Sequence, residues 1–107
     1  MTLAELESLL KTVTQTFHYE ASKAFPQYIV YSEYRKKYMH ADNKPKESCW
    51  RVQVDFYTKL LDDPNPERLE ELLSQNEVPY KYARIFDTDL KMHRHIFDCD
   101  GVRDGKV

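Results

Sequence analysis

A chain of 107 residues lies in the single-domain range, and a compact fold of this size buries roughly two-thirds of the surface its unfolded form exposes, so one modest core is available. A hydrophobic share of 41%, with eight Tyr, five Phe and one Trp, is enough to build that core and sets wholesale disorder aside, although 32% of residues are charged. The net charge of −2 provides no global field for nucleic acid or an anionic membrane, two cysteines cannot make a disulfide scaffold, no apolar run nears the roughly 20 residues that span a bilayer, and Met1 to Leu10, with Glu5 and Glu7, does not read as a secretory leader. These features point to a soluble chain of a reducing compartment.

The first segment spaces Leu3, Leu6, Leu10, Val13 and Phe17 by threes and fours, which predicts an amphipathic helix with Lys11, Thr12 and Gln15 facing water. Thr2 is its cap, and Glu5 completes a capping box. The pattern breaks over Ala21 to Pro26. A strand follows over Tyr28 to Tyr34, with Tyr28, Val30, Ser32 and Tyr34 on one face and Ile29, Tyr31 and Glu33 on the other. Both faces are partly apolar, which predicts a strand inside the sheet or at a subunit contact. Residues 35 to 47 are rich in Lys and Arg with Asp42, Asn43 and Pro45, and read as a long, solvated hairpin connection.

The alternation of Trp50, Val52, Val54 and Phe56 with Arg51, Gln53, Asp55 and Tyr57 predicts the next strand, with one core face. Leu60 to Pro66 is a breaker, and Asn65 as N-cap with Pro66 at the first helical position starts a second helix that buries Leu69, Leu72 and Leu73 and stops near Asn76, ahead of Pro79. Val78 to Asp87 and Lys91 to Asp100 read as two further strands around a tight turn at Thr88 and Asp89. The order α-β-β-α-β-β predicts an α+β domain over residues 1–100, a mainly antiparallel four-stranded sheet with its helices on one face, and a flexible tail over 101–107.

Chemistry-bearing residues are sparse. His93 and His95 are two apart on a predicted strand, so both imidazoles and Cys99 share a face and could meet one metal, but further ligands are hard to find and solvent-facing or interface positions are commoner for such residues. Asp98 and Asp100, like Asp87 and Asp89, are paired carboxylates of a kind that holds Mg²⁺, yet Asp and Gly are also what turns contain. Cys49 is a lone strand cysteine, usually inert. With two glycines, both near the C-terminus, neither a nucleophile elbow nor a phosphate-cradling loop can be built, which argues against nucleotide-dependent enzymes. Arg35, Lys36 and Lys37 between Tyr34 and Tyr38 could contact nucleic acid through phosphate charge and stacking, although a basic solvated loop is the commoner reading.

The run Pro26-Gln27-Tyr28-Ile29-Val30-Tyr31, the polar Ala41-Asp42-Asn43-Lys44 and the strand Trp50-Arg51-Val52-Gln53-Val54-Asp55-Phe56-Tyr57-Thr58-Lys59, behind an N-terminal helix and ahead of a Leu-rich helix and a final hairpin, resemble the tail-terminator and tail-completion proteins of long-tailed phages and prophages. The resemblance implies a head–tail joining component without catalysis or cofactor. It implies a virion protein assembled in the bacterial cytoplasm, closing as a homo-oligomeric ring, a hexamer in type. The ring would contact the tail-tube and head-connector proteins, with no membrane and with nucleic acid at most in its lumen. On that reading the segment around Lys36, Lys37, Lys44 and Lys46 faces the channel or a neighbour, and Tyr31, Tyr57 and Tyr82 lie at subunit contacts. His93, His95 and Cys99 have no role in the resemblance. A small metal-dependent enzyme using His93 and His95, or a nucleic-acid-binding module using the Lys36 region, are the rival readings.

Overall fold

The computed structural model of the chain describes residues 1–23, 25–41 and 44–104, with 38–41 and 44–47 described by backbone alone. Thr2 opens helix α1 (Leu3–Lys11) through the expected capping box: its hydroxyl accepts from the Glu5 amide at 3.2 Å, and the Glu5 carboxylate accepts from the Thr2 amide at 3.3 Å. The helix ends earlier than its apolar spacing suggests. Beyond Lys11 the chain reads Thr-Val-Thr, whose β-branched side chains lose rotamer freedom in a helix, and the Thr12 hydroxyl donates to the Leu9 carbonyl at 2.6 Å and closes the last turn. Phe17 therefore leaves the helix and joins strand β1 (Thr16–His18).

This short strand changes the sheet. It runs parallel to β2 (Gln27–Ala41), pairing Phe17 with Val30, so the sheet has five strands and is mixed, where a four-stranded, mainly antiparallel one was expected. The remaining elements are β3 (Lys44–Thr58), α2 (Asn65–Gln75), β4 (Tyr80–Asp87) and β5 (Met92–Arg103), in the sheet order β1-β2-β3-β5-β4. The α+β class stands.

One sheet face carries the main core. Leu6 and Leu10 from α1 and Leu69 and Leu73 from α2 pack with Ile29, Tyr31, Val52, Val54, Phe56, Phe97, Cys99 and Val102, so both helices cover the same face. The opposite face holds a smaller cluster in which Phe17, Ala21, Phe25 and Tyr57 pack on Tyr28, Val30 and Met92. Tyr28, Ile29, Val30 and Tyr31 of β2 are thus buried within the chain, Ile29 and Tyr31 in the cluster that holds the helices and Tyr28 and Val30 against Phe17, Ala21 and Phe25. The sequence reading left a subunit contact open there.

The start of α2 is built differently from expectation. Pro64, and not Asn65, is the N-cap and makes no side-chain cap bond; Asp63 before it supplies the acceptor, its carboxylate taking the Asn65 amide at 2.9 Å, the Thr58 hydroxyl at 2.7 Å and the Gln27 side chain. At the other end the Glu77 amide donates to Ser74 and the Val78 amide to Leu73, a Schellman pattern with Glu77 at φ 56 and Val78 buried.

The basic segment read as a loop over 35–47 is largely strand. β2 and β3 continue pairing from Arg35 opposite Arg51 to Ala41 opposite Lys44; β5 flanks β3 as far as Cys49, and beyond it the pair runs on as a two-stranded arm. Backbone pairing outweighs a polar composition here because the ladder is already nucleated by Ile29 to Glu33 against Val52 to Phe56. Two irregularities flank the base of the arm on either side of β3. Tyr34 is an extra residue between the Glu33 and Arg35 pairs, and on β5 the chain gains a residue at Asp100 and Gly101. Gly101 takes φ +68, and a Cβ there would meet nothing within 4 Å, so glycine serves backbone conformation and not space. The bulge turns Val102 inward to full burial, and β5 runs on to Arg103, so the tail expected from Gly101 is strand at its start. No helix among the described residues is long and apolar enough to cross a membrane.

Candidate assembly surface

β4 lies at one edge of the sheet and is exposed along nearly its whole length. Tyr82, Ile85 and Phe86 remain 44%, 47% and 51% exposed, and Leu90 in the following turn is also open to solvent. Such an edge presents unpaired backbone donors and acceptors next to apolar side chains, the combination that pairs with another chain. The other edge, β1, has three residues, and its chain folds back at once with the Glu20 amide on the His18 carbonyl. β4 is therefore open along its whole length, while on the other side β1 covers only Ile29 to Tyr31 of β2.

Above the β4 edge on the helix-bearing side is a cleft lined by Asp62, Asp63, Glu67, Glu70, Tyr82, Arg84 and His95, with Pro64 and Pro66 at the start of α2. The Arg84 guanidinium donates to the Leu61 carbonyl at 3.0 Å and lies 3.3 Å from His93 Nδ1. His95 is buried, hydrogen-bonded through Nδ1 to the Tyr82 hydroxyl at 2.6 Å and set edge-on to Phe56. Burial, with the charge of Arg84 and the neighbouring His93, holds the His95 imidazole below its usual pKa and hence neutral. Burial likewise raises the Tyr82 phenol.

The open face of the sheet carries a charged network. Asp55 is buried, and its carboxylate accepts from Arg94 at 2.9 Å and from the Gln53 side chain at 3.0 Å. Arg51 donates to Asp98 at 3.1 Å and to the Tyr34 hydroxyl at 3.2 Å, while that hydroxyl donates to Asp98 at 2.7 Å.

The residues singled out in the sequence separate clearly. Tyr31 is a core residue at 4% exposure whose hydroxyl donates to Glu7 at 2.6 Å, so it does not lie at a contact surface as expected; α1 covers it. Tyr57 is half-buried between Tyr28, stacked at 4.8 Å, and the Arg94 guanidinium. Tyr82 is exposed on the β4 edge. Lys36 lies 3.1 Å from Asp104 and over the Trp50 ring, and Lys37 lies 3.6 Å from Asp100. The side chains of Lys44 and Lys46 lie outside the described residues.

His93, His95 and Cys99 do share a strand face, but Cys99 is fully buried, with its thiol pushed up to about 12 by desolvation, and His95 is engaged with Tyr82. Among the described residues no three His, Cys, Asp or Glu side chains come together in a metal-holding group. Cys49 is half-buried and free.

Sequence reasoning missed Ile85, Phe86 and Leu90. The signal was present: Tyr80, Tyr82 and Phe86 alternate with Ala83 and Ile85, so this strand also has apolar residues on both faces. Comparison of the chain with family models, with curated proteins and with solved structures gave no match.

Proposed function

We propose that this protein acts by self-association and partner docking, as a structural component of a phage or prophage tail that forms a homo-oligomeric ring at the tube end and joins it to the head. The observation that carries this reading is the long open edge of β4, where Tyr82, Ile85 and Phe86 stand exposed beside unpaired backbone. The β2–β3 arm adds support, since an extended ribbon reaching beyond the core suits a neighbour or a lumen. No catalytic residue is assigned. The ring hexamer, the tail-tube and head-connector partners and the virion location belong to this proposal.

The rivals have less support. A nucleic-acid module would need its lysines available, and Lys36 and Lys37 sit against Asp104 and Asp100. A metal-dependent enzyme would need His93 and His95 as ligands, and His95 holds Tyr82 while His93 Nδ1 lies 3.3 Å from the Arg84 guanidinium. The test is the mass of the purified protein over a wide concentration range, with and without isolated tail tubes. Assembly into a closed ring in solution or on tube ends is the expected result. A monomer that ignores tube ends would end the proposal.

A further inference from the structure

We propose that the β4 edge is a self-complementary docking surface, and that two copies of this chain pair their β4 strands antiparallel about a two-fold axis through Arg84. Directly opposed residues of an antiparallel pair project on the same face, so the symmetry fixes the partners once the axis is placed. With the axis at Arg84, Lys81 stands opposite Asp87 of the second copy and Ala83 opposite its Ile85, on the open face of the sheet. On the helix-bearing face Tyr82 stands opposite Phe86 of the second copy. Each of these pairs occurs twice.

This register satisfies both charge and apolar surface. Lys81 is exposed and makes no ion pair among the described residues, and Asp87 uses Oδ1 for the amides of Asp89 and Leu90, which leaves Oδ2 to face a cation. Tyr82, Ile85 and Phe86 are the exposed apolar residues of the strand, and all three gain an apolar neighbour. Moving the axis to Ala83 sets Lys81 against Ile85 and pushes Asp87 past the strand end; moving it to Ile85 sets Asp87 against Ala83 and pushes Lys81 past it. The unfavourable element is Arg84 against its own copy at the axis. That guanidinium is already drawn over its own subunit by the Leu61 carbonyl, in the cleft that holds Asp62, Glu67 and Glu70, so its charge is directed away from the axis.

The contact makes one ten-stranded sheet from two five-stranded ones and removes the long open edge from solvent. It is a closed, two-fold contact. A larger ring therefore contains an even number of copies and uses a second surface between pairs.

The inference rests on the self-association proposed above, and the experiment separates the two. Sedimentation velocity is run on the wild type, Lys81→Glu, Asp87→Lys, the double exchange and Phe86→Glu, with circular dichroism confirming that each is folded. The wild type is expected as a dimer or an even-numbered species. Lys81→Glu and Phe86→Glu each raise the dimer dissociation constant about tenfold or more, and the double exchange returns it to within about threefold of wild type, because like charges opposed across strands repel and reversed pairs attract again. Recovery in the double exchange cannot come from a folding defect, even though Asp87→Lys alone loses the turn contacts. A wild-type monomer at every concentration, or an oligomer indifferent to Lys81→Glu and Phe86→Glu, overturns the β4 contact. A ring that ignores these changes leaves the tail reading standing, whereas a dimer that responds to them but grows neither in solution nor on isolated tail tubes upholds the contact and removes the ring.

Discussion

The two hairpins of the sheet are written in the same alternating code and end in opposite surroundings. In β2–β3, the residues from Ile29 to Tyr31 and from Val52 to Phe56 lie between neighbouring strands, with α1 and α2 above them, and Ile29, Val52, Val54 and Phe56 are fully buried. In β4–β5, only β5 has strands on both sides; Phe97 and Cys99 are fully buried while Tyr82, Ile85 and Phe86 on β4 are open. Period-two patterning tells which residues share a face, but burial depends on whether a strand is central and whether a helix reaches that far. Of β4, Tyr80 packs against the main core and Tyr82 and Arg84 share a cleft with α2, while Ile85 and Phe86 stay uncovered.

The sharpest way to break this comparison is a matched pair of substitutions in the second hairpin. Phe97→Ala removes a fully buried ring and is expected to cost about 3–5 kcal/mol in urea denaturation, whereas Phe86→Ala, measured where the chain is monomeric, stays within about 0.5 kcal/mol. Equal effects would mean that β4 is covered within one chain. Asp63→Ala comes next, because three donors from β2, β3 and α2 lose one acceptor; a loss of about 1–3 kcal/mol is expected, with Asp63→Asn recovering part of it. Glu77→Gly acts in the other direction. Glycine at the left-handed residue ending α2 relieves backbone strain, and a gain of about 0.5–1 kcal/mol in the same assay is expected, since the Schellman bonds are backbone ones and survive.

The smallest effect concerns pH. His95 is held below its usual pKa, first by desolvation and then by Arg84 and His93, so the unfolded chain takes up this proton before the folded one does. Stability from this residue is therefore complete above the unfolded value of about 6.5 and is lost as pH falls from there through the lower folded value. His95→Asn should flatten that part of the stability curve below about pH 6.5, read as urea midpoints at a series of pH values. A slope that survives the substitution assigns it to another group.

Much of the centre was legible from residue order. The capping box at Thr2 and Glu5, the alternation from Trp50 to Tyr57, the end of α2 near Asn76 and the turn between the last two strands all depend on local rules, and the structure has them. What was not legible depends on partners distant in sequence. Phe17 fits a helical stripe by spacing, and its place on β1 is decided by Val30 across the ladder. Residues 35 to 41 have loop composition and become strand because β3 is there to pair with them. Tyr31 looked like a contact residue because its strand has apolar residues on both faces, and only α1 and Glu7 show why it is buried. The exposed β4 edge followed from sheet order, which alternation alone does not give.

The extra residue at Tyr34 also decides which way the arm faces. Since strand side chains alternate, the single added position sets Lys36 on the side of Trp50, over whose ring it lies, and so fixes the outlook of Arg35, Lys36 and Lys37 relative to the core below. Were Tyr34 paired regularly with Arg51 instead, Arg35 would stand opposite Trp50 and Lys36 opposite Cys49, and the arm's inner and outer residues would change places while the sheet beneath kept its order. The ribbon's polarity is thus a property of spacing at its root and is independent of what the ribbon itself is made of.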